Sequence, residues 1–164
     1  MKPYNADIIA DYIITRLNAD DGVSLINLKL QKLLYYVQGW SLGITKEKFL
    51  NCDFEAWVHG PVCREIYERF KSSKNLYSYI LNDDRIYEEG EFESITKEDR
   101  DFVDYILDNY AGFSGAELES MTHKERPWIE ARNGCSPMDA CQNKISDSTM
   151  MEYFGEKWAK IDGE

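Results

Sequence analysis

Residues 27–42 hold the pattern that most restricts how this chain can fold. Five apolar residues form a stripe at helical spacing, and four more widen that stripe around most of the helix: Leu30, Leu33, Leu34, Val37 and Trp40, then Leu28, Tyr35, Tyr36 and Leu42. A helix that is apolar on most of its sides is buried in a core. The sequence therefore predicts a central helix around which the other elements pack.

Apolar residues at helical spacing, together with capping residues, predict six further helices. They cover residues 5–17 and 148–161, and four segments that begin at Pro61, Thr96, Ser114 and near Pro127. Thr96 and Ser114 each precede an acidic residue by three positions, which is the spacing of a capping box. Asp20, Asp21 and Gly22 are predicted to end the first helix.

Two segments favour β-structure. Residues 54–59 alternate apolar and polar side chains, which predicts a short strand, and residues 73–95 hold a pattern that predicts a small hairpin. Gly60 and Pro61 are predicted to end the strand, with Pro61 at the first position of a helix, where its missing N–H is not needed. The predicted fold is mostly α, a single compact helical domain over residues 1–164 with a short β-hairpin or small sheet.

The charge of the chain narrows the classes of partner. The net charge is −11, which disfavours sequence-independent binding to nucleic acid or to anionic lipid. Residues 82–108 carry eleven acidic and three basic side chains, and this stretch is either a docking surface for a basic partner or a solvated surface. The sequence has no apolar run of membrane-spanning length and no signal peptide, so we expect a cytoplasmic protein.

Motifs for catalysis or metal binding are weak. The four cysteines have neither zinc-ligand nor redox-pair spacing, and the common phosphate, dinucleotide, zinc-protease and hydrolase motifs are absent from the sequence. Two pairs could be catalytic: Cys63 with His59 as a thiol nucleophile, and His123 with Glu125 as an acid and base. Both pairs are also explained by structural roles, so we expect no enzyme, no cofactor and no metal.

Lys29 and Lys32 stand out on the central helix because they are charged residues in an apolar segment. Such side chains extend to solvent or pair with a carboxylate. The sequence leaves two interpretations open, an internal ion pair and a contact with a partner.

Three blocks of sequence, taken together, resemble the Panacea domain family of antitoxins, which includes phage-associated proteins. They are LKLQKLLYYV at residues 28–37, FEAWVHGPV at 54–62 followed by Ile66 and Tyr67, and LESMTHKERPW at 118–128. The resemblance spans residues 5–161. It implies a small helical antitoxin that inhibits a cognate protein toxin by direct contact and is encoded beside that toxin. One branch of the family implies an alternative, an adaptor that delivers its bound toxin to a protease such as ClpXP.

The resemblance also implies which residues build the scaffold. The family's shared residues correspond to Leu30, Lys32, Leu33, Tyr35, Trp57, Gly60, Pro61, Val62, Tyr67, His123, Pro127 and Trp128. Contacts with the toxin should vary with the toxin, and we predict them at Lys29, Tyr36, His59, Arg64, Asp83, Asp84, Glu88 and Glu89. Neither nucleic acid nor a membrane is an expected partner.

Overall fold

A computed structural model describes residues 1–19 and 24–163, and it is mostly helical with one small antiparallel sheet. The elements in chain order are α1 (Ala6–Ala19), α2 (Asn27–Thr45), β1 (Phe54–Trp57), β2 (Gly60–Cys63), α3 (Arg64–Phe70), two 3-10 helices (Asn82–Asp84 and Glu89–Ser94), α4 (Lys97–Tyr110), α5 (Gly115–Thr122), α6 (Arg126–Ala131) and α7 (Asp147–Asp162). The predicted fold class is confirmed. The predicted break at Asp20, Asp21 and Gly22 lies outside the described residues.

Helix α2 is the centre of the molecule. Every residue from Leu28 to Gly39 is buried, and α1, α4, α5, α7 and β2 all pack against this helix. The prediction of a central helix is confirmed. The helix ends at Thr45, and Lys46 follows with a left-handed backbone at φ 64°.

Two glycines allow α7 to approach α2 closely. A Cβ atom on Gly39 would collide with the ring of Phe154, and one on Gly43 would lie 2.6 Å from the backbone carbonyl carbon of Phe154. The Phe154 ring is fully buried and packs against Tyr35 and Trp40, with centroid distances of 5.8 and 5.1 Å. The side of α2 that carries Gly39 and Gly43 therefore receives Phe154 of α7.

Strands β1 and β2 form a hairpin, and this corrects one prediction. Gly60 and Pro61 do not end the β-structure; they begin β2, with Trp57 opposite Gly60 and Ala56 opposite Pro61. Gly60 has φ +103°, a backbone conformation that glycine adopts without strain. The chain can therefore reverse at residues 58–59 and pair with itself.

Pro61 is tolerated inside β2 because of the direction its nitrogen faces. The N–H of Cys63, two residues later, points away from β1 and donates to the Gln31 side chain at 2.8 Å. Residues two apart on a strand face the same edge, so Pro61 removes no bond from the β1–β2 ladder. Consequently α3 begins at Arg64 and not at Pro61.

The hairpin predicted in residues 73–95 is wrong. The backbone of residues 76–80 pairs instead with the start of α2, where the N–H groups of Asn27 and Leu28 donate to the carbonyls of Ser78 and Leu76. Further along, the buried Asp11 carboxylate accepts from the backbone N–H groups of residues 86 and 87 at 2.7 and 2.9 Å. The backbone groups of this segment therefore find their hydrogen-bond partners in α2 and in Asp11, and the segment does not pair with itself as a hairpin.

The predicted helix starts are confirmed at the capped ends. The Thr96 hydroxyl accepts from the N–H of Asp99, and Ser114 and Glu117 form a complete capping box. Pro127 lies in the first turn of α6. Within residues 1–19 and 24–163, no helix combines the length and the hydropathy that a membrane crossing requires.

Candidate functional site

A groove of about 580 Å³ opens beside the β1–β2 hairpin, and we call it the hairpin groove. Four separate segments line it: Asn27, Gln31 and Lys32 of α2; Trp57, Val58, His59 and Val62 of the hairpin; Tyr67, Lys71, Lys74, Asn75 and Leu76 in and after α3; and residues 140–142. Its volume lies in the range of ligand and peptide pockets. A second, smaller pocket of about 70 Å³ lies between α2, α4 and α7.

The floor of the groove is fixed by α2. The Gln31 side chain accepts from the N–H of Cys63 at 2.8 Å and donates to the carbonyl of the same residue at 3.1 Å. This pair of bonds satisfies the free edge of β2. A glutamine side chain thus holds the hairpin at one position along α2.

Lys32 lies next to Gln31 and is fully buried. Its ammonium group donates to the carbonyl of Pro61 at 3.0 Å, and burial lowers the pKa of Lys32 to about 7, opposed by the charge of Glu119. Lys29 is also buried, and its ammonium group donates to the carbonyl of Ala111 at 2.6 Å. Both lysines bind backbone carbonyls, so the predicted internal ion pair is replaced by a different internal role.

Two aromatic side chains form one wall of the groove. Trp57 and Tyr67 meet edge to face with their ring centroids 4.7 Å apart, and Tyr67 is 38% exposed. The Arg64 guanidinium lies over the Trp57 ring at 5.5 Å and makes two bonds with the Glu55 carboxylate, at 2.8 and 3.0 Å. The indole N–H of Trp57 donates to the same carboxylate at 2.9 Å. These contacts orient the wall before any partner arrives.

The charged side chains of the groove lining are basic, although the whole chain is acidic. Among the described residues that line it, three are lysines, one is a histidine and none is Asp or Glu. Lys71 contacts Glu68 at 2.5 Å and Lys74 contacts Asp84 at 3.2 Å, both outside the lining. An ammonium group has three donors, so each of these lysines can bind a further acceptor.

Comparison with known proteins decides the family. A sequence profile described as antitoxin SocA-like, Panacea domain, matches residues 30–129, which include most of α2, the hairpin and α3 to α5. The chain belongs to this family. It is also similar to Antitoxin SocA of Caulobacter vibrioides (strain NA1000 / CB15N), with 37% identity over 78 residues, which are 48% of this chain and 40% of that protein. No solved structure matches the chain.

The residues that the resemblance assigned to the Panacea scaffold converge on the hairpin. Leu30, Leu33 and Tyr35 are fully buried in the core. The indole N–H of Trp128 donates to the carbonyl of Trp57 at 2.8 Å, and the His123 ring stacks on Trp128 at 4.2 Å. The three sequence blocks therefore meet in space around one hairpin, and four of the scaffold residues also line the groove: Lys32, Trp57, Val62 and Tyr67.

The predicted contact residues of this Panacea protein separate into two groups. Lys29 and Tyr36 are buried, so neither presents a surface to a partner in this structure. The other six have exposed or half-exposed side chains and stay predictions: His59, Arg64, Asp83, Asp84, Glu88 and Glu89. Of these, His59 lines the groove, with its Nδ1 3.1 Å from Glu119.

Neither of the two candidate catalytic pairs is joined by a hydrogen bond among the described residues. The Cys63 thiol is buried and donates to Glu65 at 3.3 Å, while His59 contacts Glu119. The Glu125 carboxylate accepts from the Tyr36 hydroxyl at 2.9 Å, and burial lowers the pKa of His123, which stacks on Trp128. Membership of an antitoxin family suggests a regulator without chemistry of its own.

One cluster offers metal-ligand atoms. One sulfur each from Cys52 and Cys63 and a carboxylate oxygen of Glu65 lie within 4.8 Å of one another. A structural zinc site needs four protein ligands, and this cluster has three. In the metal-free protein, a hydrogen bond with Cys63, together with burial, raises the pKa of the Cys52 thiol.

Sequence reasoning did not assign most of the groove lining, and the unassigned residues include Gln31, Lys71 and Lys74. The signal for Gln31 was present, because an amide on a buried helix needs a backbone partner. The two lysines gave no signal, since only the path of the chain after α3 brings them to the groove.

Proposed function

We propose that this chain is an antitoxin that neutralises a cognate protein toxin by binding it directly and covering the surface through which the toxin acts. The observation that carries the proposal is the family match over residues 30–129. That segment contains the hairpin and the aromatic wall of the groove. The relative that is named an antitoxin is matched over 40% of its own length, so its partner is not transferred to this chain.

The shape and rigidity of the hairpin groove support direct binding. Partly exposed Trp and Tyr side chains are the most frequent anchors of protein interfaces, and Trp57 and Tyr67 form such a pair. Because Gln31, Glu55 and Arg64 hold the wall in place, little ordering entropy is lost when a partner binds. The groove is therefore the surface where we expect the toxin to dock.

The acidic surface after α3 suits a second role in toxin binding, which is to speed the approach of the toxin. Asp83, Glu88 and Glu89 are exposed around the two 3-10 helices, and a surface of one charge speeds the approach of an oppositely charged partner. We propose that these residues steer a toxin that carries a basic patch next to its docking segment.

The proposed functional unit is one domain that covers residues 1–164. Helices α1 and α7 lie outside the matched residues, yet both pack against α2. Without them, α2 would expose much of its apolar circumference to water.

Co-expression tests the proposal. The chain is produced together with the product of the gene beside its own, in a wild-type host and in a host that lacks ClpXP. Neutralisation by occlusion predicts that growth is restored in both hosts, that the toxin stays abundant, and that the two proteins co-elute. Growth arrest despite co-expression would contradict the antitoxin proposal. Rescue only in the host with ClpXP, with loss of the toxin, would contradict occlusion and favour a protease adaptor.

A further inference from the structure

The hairpin groove has the chemistry of a site for a particular kind of peptide. We propose that it binds an extended acidic segment of the partner protein, with an apolar side chain of that segment against Trp57 and Tyr67 and its carboxylates at Lys71 and Lys74. This inference rests on the proposed function, because it takes the partner to be a protein that the chain neutralises.

Charge complementarity is the first argument. The chain has 30 acidic residues and a net charge of −11, yet no acidic residue is found among the described residues of the groove lining. Lys32 is buried there, whereas Lys71 and Lys74 present their ammonium groups at the surface of the groove. Like charges across an interface are costly and opposite charges select the partner, so the groove favours an acidic segment over a neutral or basic one.

The second argument concerns the apolar part of the groove. The apolar side chains of the lining include Trp57, Val58, Val62, Tyr67 and Leu76. Exposed ion pairs contribute little net affinity, whereas a buried apolar anchor between aromatic side chains contributes much of it. The segment that fits therefore needs an aromatic or branched aliphatic side chain flanked by Asp or Glu.

The third argument favours a peptide over a nucleic acid. The groove has a volume of only about 580 Å³, and the net negative charge of the chain repels a long polyphosphate chain. The exposed amides of Asn75 and Gln142 lie on the rim. Side-chain amides supply both donors and acceptors, which suits the alternating N–H and C=O groups of an extended peptide.

A peptide selection tests this inference. The full chain is immobilised through a C-terminal tag, and a phage-displayed library of random linear peptides is the probe. The inference predicts enrichment of peptides in which Asp and Glu surround an aromatic or aliphatic residue, and binding that weakens as salt is added. No enrichment over the empty support, or enrichment of neutral or basic peptides, would overturn it.

Matched variants locate the binding site. An enriched acidic peptide should bind Lys71→Glu about tenfold more weakly, because an attraction becomes a repulsion. It should bind Tyr67→Ala about thirtyfold more weakly, because the aromatic wall is lost. The controls are Lys160→Glu, at an exposed position of α7, and Phe113→Ala, which is 38% exposed like Tyr67; both should bind like the unchanged chain. Equal binding by all four variants would place the peptide outside the groove and overturn the inference.

The same variants separate this inference from the proposed function. If the unchanged chain neutralises its toxin and Lys71→Glu and Tyr67→Ala neutralise it equally well, the groove is not the docking site and the antitoxin proposal stands. If the unchanged chain fails to neutralise, the antitoxin proposal fails whatever the peptides show. Thermal unfolding of each variant checks that a loss of binding is not a loss of folding.

Discussion

Glu125 is a buried carboxyl group surrounded by tyrosines. Only 6% of its surface is exposed, and it accepts hydrogen bonds from the hydroxyls of Tyr36 at 2.9 Å and Tyr35 at 3.3 Å. Burial raises the pKa of Glu125 to about 7 from 4.5, although the tyrosine bonds and Lys157 act in the opposite direction. Between these two pH values the folded chain holds a proton at Glu125 that the unfolded chain has released, so the contribution of Glu125 to the free energy of unfolding falls as the pH rises.

Glu125→Gln isolates this effect, because glutamine keeps an acceptor for Tyr36 and does not titrate. We expect the variant to gain stability relative to the unchanged chain as the pH rises from 4.5 to 7, by about 3 kcal/mol over the whole window. Urea unfolding at a series of pH values measures the difference. Glu156→Gln, at an exposed position of α7, should show no such trend. A difference between Glu125→Gln and the unchanged chain that is constant with pH would contradict the assignment.

The hairpin is the element on which the groove depends, and its turn depends on Gly60. A Cβ atom at this position would lie 2.6 Å from Cε of Lys32 and 2.9 Å from the Thr122 hydroxyl, and the backbone has φ +103°. Gly60 therefore faces two constraints, backbone strain and a close approach to α2 and α5. A side chain here would displace Lys32 from the floor of the groove.

Three glycine-to-alanine variants separate these constraints. Gly60→Ala has both and should lose about 3 kcal/mol of unfolding free energy. Gly134→Ala has φ +91° but open space around the new Cβ, so it should lose about 1 kcal/mol from strain alone. Gly90→Ala has open space and no positive φ, so it should be near neutral. Chemical denaturation ranks the three, and equal losses at positions 60 and 134 would contradict the close contact with Lys32.

Elements defined by local pattern could be predicted from the sequence. The apolar circumference of α2 and the caps at Thr96 and Ser114 act within one segment, so the pattern contains the information. Strand β2 could not be predicted, because Gly60 and Pro61 also suit a turn before a helix and the choice depends on the Gln31 side chain of a distant helix. The hairpin prediction for the segment after α3 was wrong for the same reason, since the backbone of that segment pairs with the start of α2.

At the scale of the whole molecule, the groove is a site that sequence patterns do not predict, because segments far apart in the chain form it together. The family resemblance identified Trp57 and Tyr67 as scaffold residues, and both are also partly exposed in the groove. Lys71 and Lys74 lie in no motif and reach the groove only because α3 directs the chain back toward α2. The residues that the resemblance assigns to the scaffold thus shape the groove, while the ammonium groups of Lys71 and Lys74 come from outside that set.

The central claim is that this chain neutralises a protein by covering it, and an inhibition titration with purified components tests that most directly. The toxin encoded beside this chain is assayed for its activity while the chain is added, with no protease present. The account predicts that inhibition is complete at an equimolar ratio and that both proteins elute together as one complex. Full toxin activity in the presence of excess chain would contradict it.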